Sequence, residues 1–367
     1  MKLFYKNLLA FLLLIPTLSF ANTGKLIGKH TKEKNIHKEF LNTSNTKFDL
    51  TNLYGNIDIT SWDGDKITID TQIIVNGDNK EAVIDELNNI YITYEMNSKK
   101  NILTVGTYGT EEVKCHKEIH YQIKVPKSCP LKIYNQFGNI NIDETNSDAC
   151  LFVSYGNLIA GKLNGNITKL YFGYSTKSTI EYVKNANIWG SFSDYEIEKS
   201  ETISLENLHS SNTNINHVKN FEFKKCSYGT IIINKATNTI KGQGEYLTTI
   251  INNFSGKEID IKSEFGAIDI KKWETSKMNF DIHQAKLSIE YSDTKALNLD
   301  LQINSCSSFT SSVINYLPKS FVKSNSKKSK KGNYKYHHIN NKDNQISILM
   351  TKGILRFNKV DDSMVKN

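Results

Sequence analysis

The chain has 367 residues, a formal net charge of +8, 38% hydrophobic, 23% charged and 10% aromatic residues, and 20 Gly with only 4 Pro. That aromatic and aliphatic content excludes an intrinsically disordered chain, and the modest Gly and Pro counts exclude a collagen-like or low-complexity one. Beyond the first twenty residues, no apolar run reaches the roughly 18 residues that a membrane-spanning helix needs.

The amino terminus reads as an export signal. Lys2 and Lys6 precede an apolar stretch over 8–15, followed by Pro16 and by Ser19-Phe20-Ala21, which places small residues where a signal peptidase reads. Residues 1–21 are therefore expected to be removed after Ala21, leaving no transmembrane span; an uncleaved anchor is the alternative, against the shortness of the apolar run. Loss of Lys2 and Lys6 lowers the formal charge to +6, a mild bias toward anionic surfaces. The expected location is the periplasm, the outer-membrane surface or the exterior. Cys115, Cys129, Cys150, Cys226 and Cys306 all lie in the exported part. Cys115 with Cys129, or Cys129 with Cys150, is close enough along the chain to pair, whereas Cys226 and Cys306 read as small buried apolar residues. The absence of CxxC argues against zinc.

Residues 22–129 read as a β-rich cap with long strands, at 67–75, 90–94, 102–105 and 119–125. One helix interrupts them. Asp78 is the expected cap, Glu81 follows three residues on, and Val83, Ile84, Leu87 and Ile90 form an apolar stripe.

Residues 130–312 carry an internal repeat. An aromatic followed by Gly or Ser recurs at Phe137-Gly138, Tyr155-Gly156, Tyr174-Ser175, Phe192-Ser193, Tyr228-Gly229 and Phe265-Gly266, with His209-Ser210 and Tyr246-Leu247 as weaker members. The steps from 137 to 265 are 18, 19, 18, 17, 19, 18 and 19 residues. Alternating apolar pairs such as Ile203/Leu205, Phe221/Phe223 and Ile259/Ile261 mark half-buried strands. A unit this short cannot bury its own apolar face, but stacked copies can. The pattern predicts an all-β fold: a single-stranded, β-helix-like β-solenoid of about 18 residues per coil, its strands about 4.8 Å apart. A β-sandwich is the rival, but hairpin signals such as Asn76-Gly77 and Asn164-Gly165 do not recur once per strand. Residues 313–367 hold a basic loop with Lys323, Lys327, Lys328, Lys330 and Lys331, then a strand pair turning at Gly353 that is expected to close the far end. The lysines form a candidate anion-binding patch or a solvated loop.

Catalytic signals are sparse. GxSxG, HExxH and glycine-rich phosphate loops are absent, and the only Arg is Arg356. His116 and His120 share one strand face but lack an obvious third metal ligand. No catalytic residue, metal or cofactor is assigned, and no nucleic-acid reading motif is present. The position four after the aromatic is acidic at Asp58, Glu196 and Asp269 but Asn141, Ile159, Ser178 and Ile232 elsewhere, so no acidic column forms. The better candidate surface is the aromatic column itself: Phe137, Tyr155, Tyr174, Phe192, Tyr228, Tyr246 and Phe265. Strand parity turns these rings outward, where they would contact sugars or proteins; alternatively the Gly bends the chain there and the column is a structural stack.

Taken together, the signal segment, Tyr54-Gly55-Asn56-Ile57-Asp58-Ile59 followed by Trp62-Asp63, Val125-Pro126-Lys127, Phe137-Gly138-Asn139-Ile140 and the Tyr-Gly or Tyr-Ser repeats resemble the adhesin-like β-solenoid proteins of bacterial cell envelopes, a largely uncharacterised family. The resemblance spans nearly the whole mature chain and brings no catalytic residues. It implies a non-enzymatic envelope adhesin or scaffold whose partner is an envelope glycan or protein. The alternatives are a carbohydrate-active β-helix enzyme, a lyase or hydrolase, and a sensory envelope partner.

Overall fold

The computed structural model describes residues 28–42, 46–109, 115–274, 277–291, 298–304, 308–311, 333–338 and 345–359. The fold is all-β, with one helix, Lys80–Asn89, among the described residues. Between Leu131 and Tyr291 neighbouring strands pair in parallel at separations of 17 to 20 residues. Two strand ladders result. One runs through Leu131–Gln136, Ala149–Ser154 and Thr168–Gly173, the other through Ile140–Thr145 and Leu158–Leu163. Asn212–Phe254 is a continuous run of paired extended backbone that passes from one ladder to the other more than once.

The period-2 alternation places every other side chain inside. Ile133, Leu151, Leu170, Ile188, Leu205 and Phe223 lie in register as one column, and all are buried. Ile142, Ala160, Ile180, Ile197 and Ile215 form the facing column. Both belong to a single buried cluster that also holds Ile140, Leu158, Ile231 and Ile268. Each fully buried Ile or Leu contributes about 1.5–3 kcal/mol, so stability is spread along the molecule.

At both ends the order of tiers departs from the order of the chain. Lys47–Asn52 lies between Ile102–Tyr108 and Leu131–Gln136, and Ile57–Trp62 between His116–Pro126 and Ile140–Thr145. At the other end Gln345–Thr351 inserts between Lys277–His283 and Asn298–Asn304, and Ile354–Lys359 between Lys286–Tyr291 and Ser308–Ser311. The last strands are therefore not the outermost layer, as their sequence position led us to expect. That place is taken by Asn333–His338, which pairs antiparallel with Asn298–Asn304. The opposite end is likewise finished by antiparallel strands, Tyr91–Asn97 on Ile102–Tyr108, and His30–Leu41 on Lys66–Gly77. The outermost of these, His30–Leu41, is largely exposed and carries Lys32, Glu33, Lys34, Lys38 and Glu39, charges that discourage edge-to-edge pairing.

The helix differs from expectation in two positions. Asn79, not Asp78, is its cap, accepting from the backbone N–H of Glu81 at 2.9 Å and of Ala82 at 3.1 Å; Asp78 instead accepts from the N–H of Lys29. Ile84 is exposed, and Glu86 takes the buried place on the stripe. A carboxylate is held there because Lys117 Nζ lies 3.0 Å from Glu86 Oε1, with both side chains buried.

Candidate binding surface

The chain turns from one ladder to the other at the aromatic residue itself. Phe137, Tyr155, Tyr174, Phe192, Tyr228, Tyr246 and Phe265 all have φ between 51° and 57°, the left-handed region. That conformation costs an L-residue roughly 1–2 kcal/mol, so each corner must be held by its neighbours. The following residue shows how. A Cβ at Gly156 would fall 1.9 Å from the carbonyl oxygen of Gly138, and one at Gly138 would fall 2.0 Å from that of Gly55. Where the residue is Ser, its hydroxyl fills the gap: Ser175 N–H donates to Ser193 Oγ at 3.1 Å, and Ser193 N–H to Ser211 Oγ at 3.0 Å. The aromatic-Gly/Ser motif is thus a stacking rule for consecutive tiers.

The left-handed corner sets the rings on the outside, each 39–54% exposed. They stack on one another: Phe137 on Tyr155 at 5.0 Å between centroids, Tyr155 on Tyr174 at 4.8 Å, Tyr174 on Phe192 at 5.2 Å, Tyr228 on Tyr246 and Tyr246 on Phe265 both at 4.9 Å. Tyr54 extends the column on Phe137 at 5.7 Å. Interplanar angles of 4–20° mean that ring faces cover each other and rims point to solvent. The column is both things the sequence left open, a stack and an exposed surface, but it offers rims rather than the faces a sugar ring would lie upon.

One tier is displaced. The corner residue there is Ser210, φ 48°, not His209. His209 instead sets its ring edge-on between Phe192 and Tyr228, 5.6 Å from each, and bridges the interruption. Restoring Ser210 to the corner makes the steps around it 18 and 18 rather than 17 and 19. The same arrangement recurs at Gln284, φ 50°, with His283 edge-on to Phe265.

A second aromatic column was not anticipated. Tyr134, Phe152, Tyr171 and Trp189 each lie three residues before a corner aromatic; Phe152 stacks on Tyr171 at 4.0 Å and Tyr171 on Trp189 at 4.5 Å, while Tyr134 leans on Phe152 at 6.0 Å with the rings tilted by 41°. The signal was present in that constant offset, but these positions also fit an ordinary outward strand residue, and only the parallel register makes them a column.

Outward positions on the other ladder are mostly polar, with Ile159 an exposed exception. Asn252 donates to Asn234 at 2.6 Å, Asn234 to Asn216 at 2.6 Å, and Asn216 to the Glu198 carboxylate at 2.5 Å. Glu196 accepts from Asn214 and Asn216. These carboxylates are engaged by amides rather than facing a second acid. A shallow groove of about 480 Å³ lies beside them, between Thr179, Asp194, Glu196, Asn212 and Asn214.

His116 and His120 do find a third group, Glu118, between them on the same strand face. Its oxygens lie 2.9 Å from His116 Nε2 and 2.8 Å from His120 Nε2. The arrangement does not suit a metal ion. His120 Nδ1 accepts from the Asn56 N–H at 3.1 Å, so Nε2 carries the ring proton and donates to Glu118, leaving no lone pair for a metal. The group is a hydrogen-bonded brace in which His120 and Glu118 are buried and His116 stays exposed.

Among the described cysteines, Cys115, Cys129, Cys150 and Cys226 are free thiols, so neither expected pairing forms. Cys129 donates to the carbonyl of Thr46 at 3.2 Å, and burial pushes its thiol up to about 12. Cys226 is buried, as expected, and its thiol is likewise pushed up to about 12 by burial. Cys306 and the basic patch of Lys323, Lys327, Lys328, Lys330 and Lys331 lie outside the described residues, as does the export segment. No described helix is long and apolar enough to cross a membrane.

No protein-family model matches the sequence, and no curated protein matches it. Solved structures do show a likeness. One from Bacteroides fragilis, described as a putative adhesin, is 16% identical over 65% of this chain and 97% of its own, with a TM-score of 0.39. A second putative adhesin, from Parabacteroides distasonis, is 10% identical over 69% and 97%, with a TM-score of 0.32. A protein of the same organism described as a putative lipid binding protein is 12% identical over 89% and 97%, with a TM-score of 0.29. At these scores no role passes from those proteins to this one, and a functional reading has to rest on the chain's own residues.

Proposed function

We propose that this chain is an exported, non-enzymatic β-solenoid that acts in the cell envelope as an adhesin-like or scaffolding protein, binding through its repetitive outer surface. The supporting observation is the corner column, in which seven aromatic residues accept a strained backbone and remain about half exposed. A core role alone would bury the rings. Large apolar side chains held in a row on the surface mark an interaction site. Sites repeated once per tier on a stiff body gain avidity from simultaneous weak contacts, without a deep pocket. Export follows from the reading of residues 1–21.

The test is the triple variant Tyr155→Asn, Tyr174→Asn, Tyr228→Asn. Asn tolerates the left-handed corner, so the variant is expected to keep its strand circular dichroism while losing adsorption to isolated bacterial envelopes. A folded variant that adsorbs as the parent does overturns the proposal.

A further inference from the structure

The two aromatic columns run side by side over four tiers only, and a line of uncharged residues separates them. Gln136, Ser154, Gly173 and Ser191 are in register with one another. Each sits two residues after Tyr134, Phe152, Tyr171 or Trp189, the inner column, and one before a member of the corner column. With a rise of about 3.3 Å per residue, the two walls stand roughly 10 Å apart at their backbones, and four tiers span roughly 15 Å. The floor is low: a Cβ built at Gly173 would find Ser154 Oγ at 3.1 Å and no backbone atom among its nearest contacts.

The channel has a defined end. In the next tier Trp189 is succeeded by Asn207 and Ser191 by His209. The His209 ring stands edge-on against Phe192 and closes the line. At the other end Tyr134 is succeeded by Thr51, so the inner wall stops there as well.

The twelve outward residues of the channel, 134, 136, 137, 152, 154, 155, 171, 173, 174, 189, 191 and 192, include no charged side chain, in a chain that is 23% charged. The same columns farther along are charged: Lys225, Glu245, Lys262, Glu264 and Asp281 line a groove of about 370 Å³. The neutral stretch is a local feature, not a property of the repeat.

Resting on the reading of the aromatic columns as a binding surface, we infer that this channel is a subsite for a neutral, linear glycan of about four sugars lying along the ladder axis. Three observations favour that occupant. Ring rims carry the positive edge of the aromatic quadrupole and attract oxygen lone pairs, which a glycan presents along its whole length. The floor supplies the hydroxyls of Ser154 and Ser191 and the amide of Gln136, which suit hydroxyl groups and not an acyl chain. The strands beneath are paired on both sides, so no backbone edge is free for an added peptide strand. An extended pyranose chain also advances by close to one tier per sugar, which lets each tier repeat the same contact.

The test is electrophoretic retardation of the full exported chain in gels containing glucomannan, hydroxyethylcellulose or polygalacturonate, followed by titration with neutral β-1,4-linked oligosaccharides of two to six sugars. Retardation by a neutral polymer and not by polygalacturonate is expected, with affinity rising up to about four sugars and then levelling. Trp189→Ala and Ser191→Glu are each expected to weaken binding at least tenfold; Ser191 is exposed, so its substitution leaves the fold unaffected. Ile159→Asn, an exposed position on the other ladder and outside both aromatic columns, is expected to leave glycan binding unchanged. No retardation by any neutral polymer overturns the inference, as does equal retardation by polygalacturonate or equal loss in the Ile159 variant. Envelope adsorption that depends on Tyr155, Tyr174 and Tyr228 while neutral glycans fail to bind would sink the glycan channel and leave the broader surface reading in place.

Discussion

The middle of the molecule and its two ends are built from the same strands under different rules. Between Leu131 and Tyr291 each tier rests on the one before it in the chain, and every pairing links residues 17 to 20 apart. At the ends the partners are 68 residues apart, as for Met278 and Ile346, or 83 apart, as for Ile57 and Ile140. The difference separates two problems. The middle need only repeat, so local sequence fixes it. The ends must stop the repeat without leaving an open edge, and they do so by interleaving distant segments and finishing with antiparallel strands.

The contrast predicts its largest effect at the carboxyl end. Deleting residues 345–367 removes a whole tier from the interior of the stack, not a cover from its surface. Lys277–His283 and Lys286–Tyr291 lose a parallel partner each, and Asn298–Asn304 loses its attachment. The truncated chain is expected to be aggregated on size exclusion and to show no cooperative melt. A monomeric truncation with the parent's Tm would show that this tier is peripheral after all.

The amino-terminal cap offers a smaller and more local break. Glu86 and Lys117 are paired in the interior, with Lys117 Nζ also 5.4 Å from the Tyr54 ring centroid. Removing one charge leaves the other buried, so Glu86→Gln should cost about 3–5 kcal/mol in urea unfolding. Glu86→Leu with Lys117→Met restores a matched apolar contact and should recover most of that loss. Equal destabilisation by the single and the double variant would mean that the pair supplies more than mutual neutralisation.

These regions were unequally legible in the sequence. The corner aromatic and its Gly or Ser are adjacent in the chain, so a constraint on the stack imprints a visible motif; so do the alternating apolar pairs, and the all-β class with them. The inner aromatic column left a weaker trace, because Tyr134 or Trp189 in isolation is an ordinary outward strand residue. At His209 the motif points one residue early, because the corner there is held by Ser210 and not by an aromatic. The cap of the helix was missed by one residue for a similar reason, since Asp78 and Asn79 are equally good capping types and only the local turn selects between them. The interleaved ends could not be read at all. Tier order is decided by which apolar edges meet in space, and nothing adjacent to Ile348 records that Phe280 and Leu301 are its neighbours.

The smallest predicted effect tests the middle region's own rule, that the corner and not the ring dictates the backbone. Tyr155→Asn and Tyr155→Val both delete the ring, and with it stacking on Phe137 and Tyr174, a loss of about 0.5–1.5 kcal/mol per pair. They differ in the backbone. Tyr155 has φ 53°, which Asn adopts readily and a β-branched residue does not. Val should therefore be less stable than Asn by about 1–2 kcal/mol, although it is the better strand former. Were ring stacking the cause of the corner, removing the ring would let the chain relax, and the two variants would melt together or Val would melt higher. A Val penalty confined to the seven corner positions, and absent at inner-column Phe152, would show that the tier-to-tier contact of Gly156 with Gly138 sets the left-handed turn, and that the aromatic occupies it for what its exposed rim can touch.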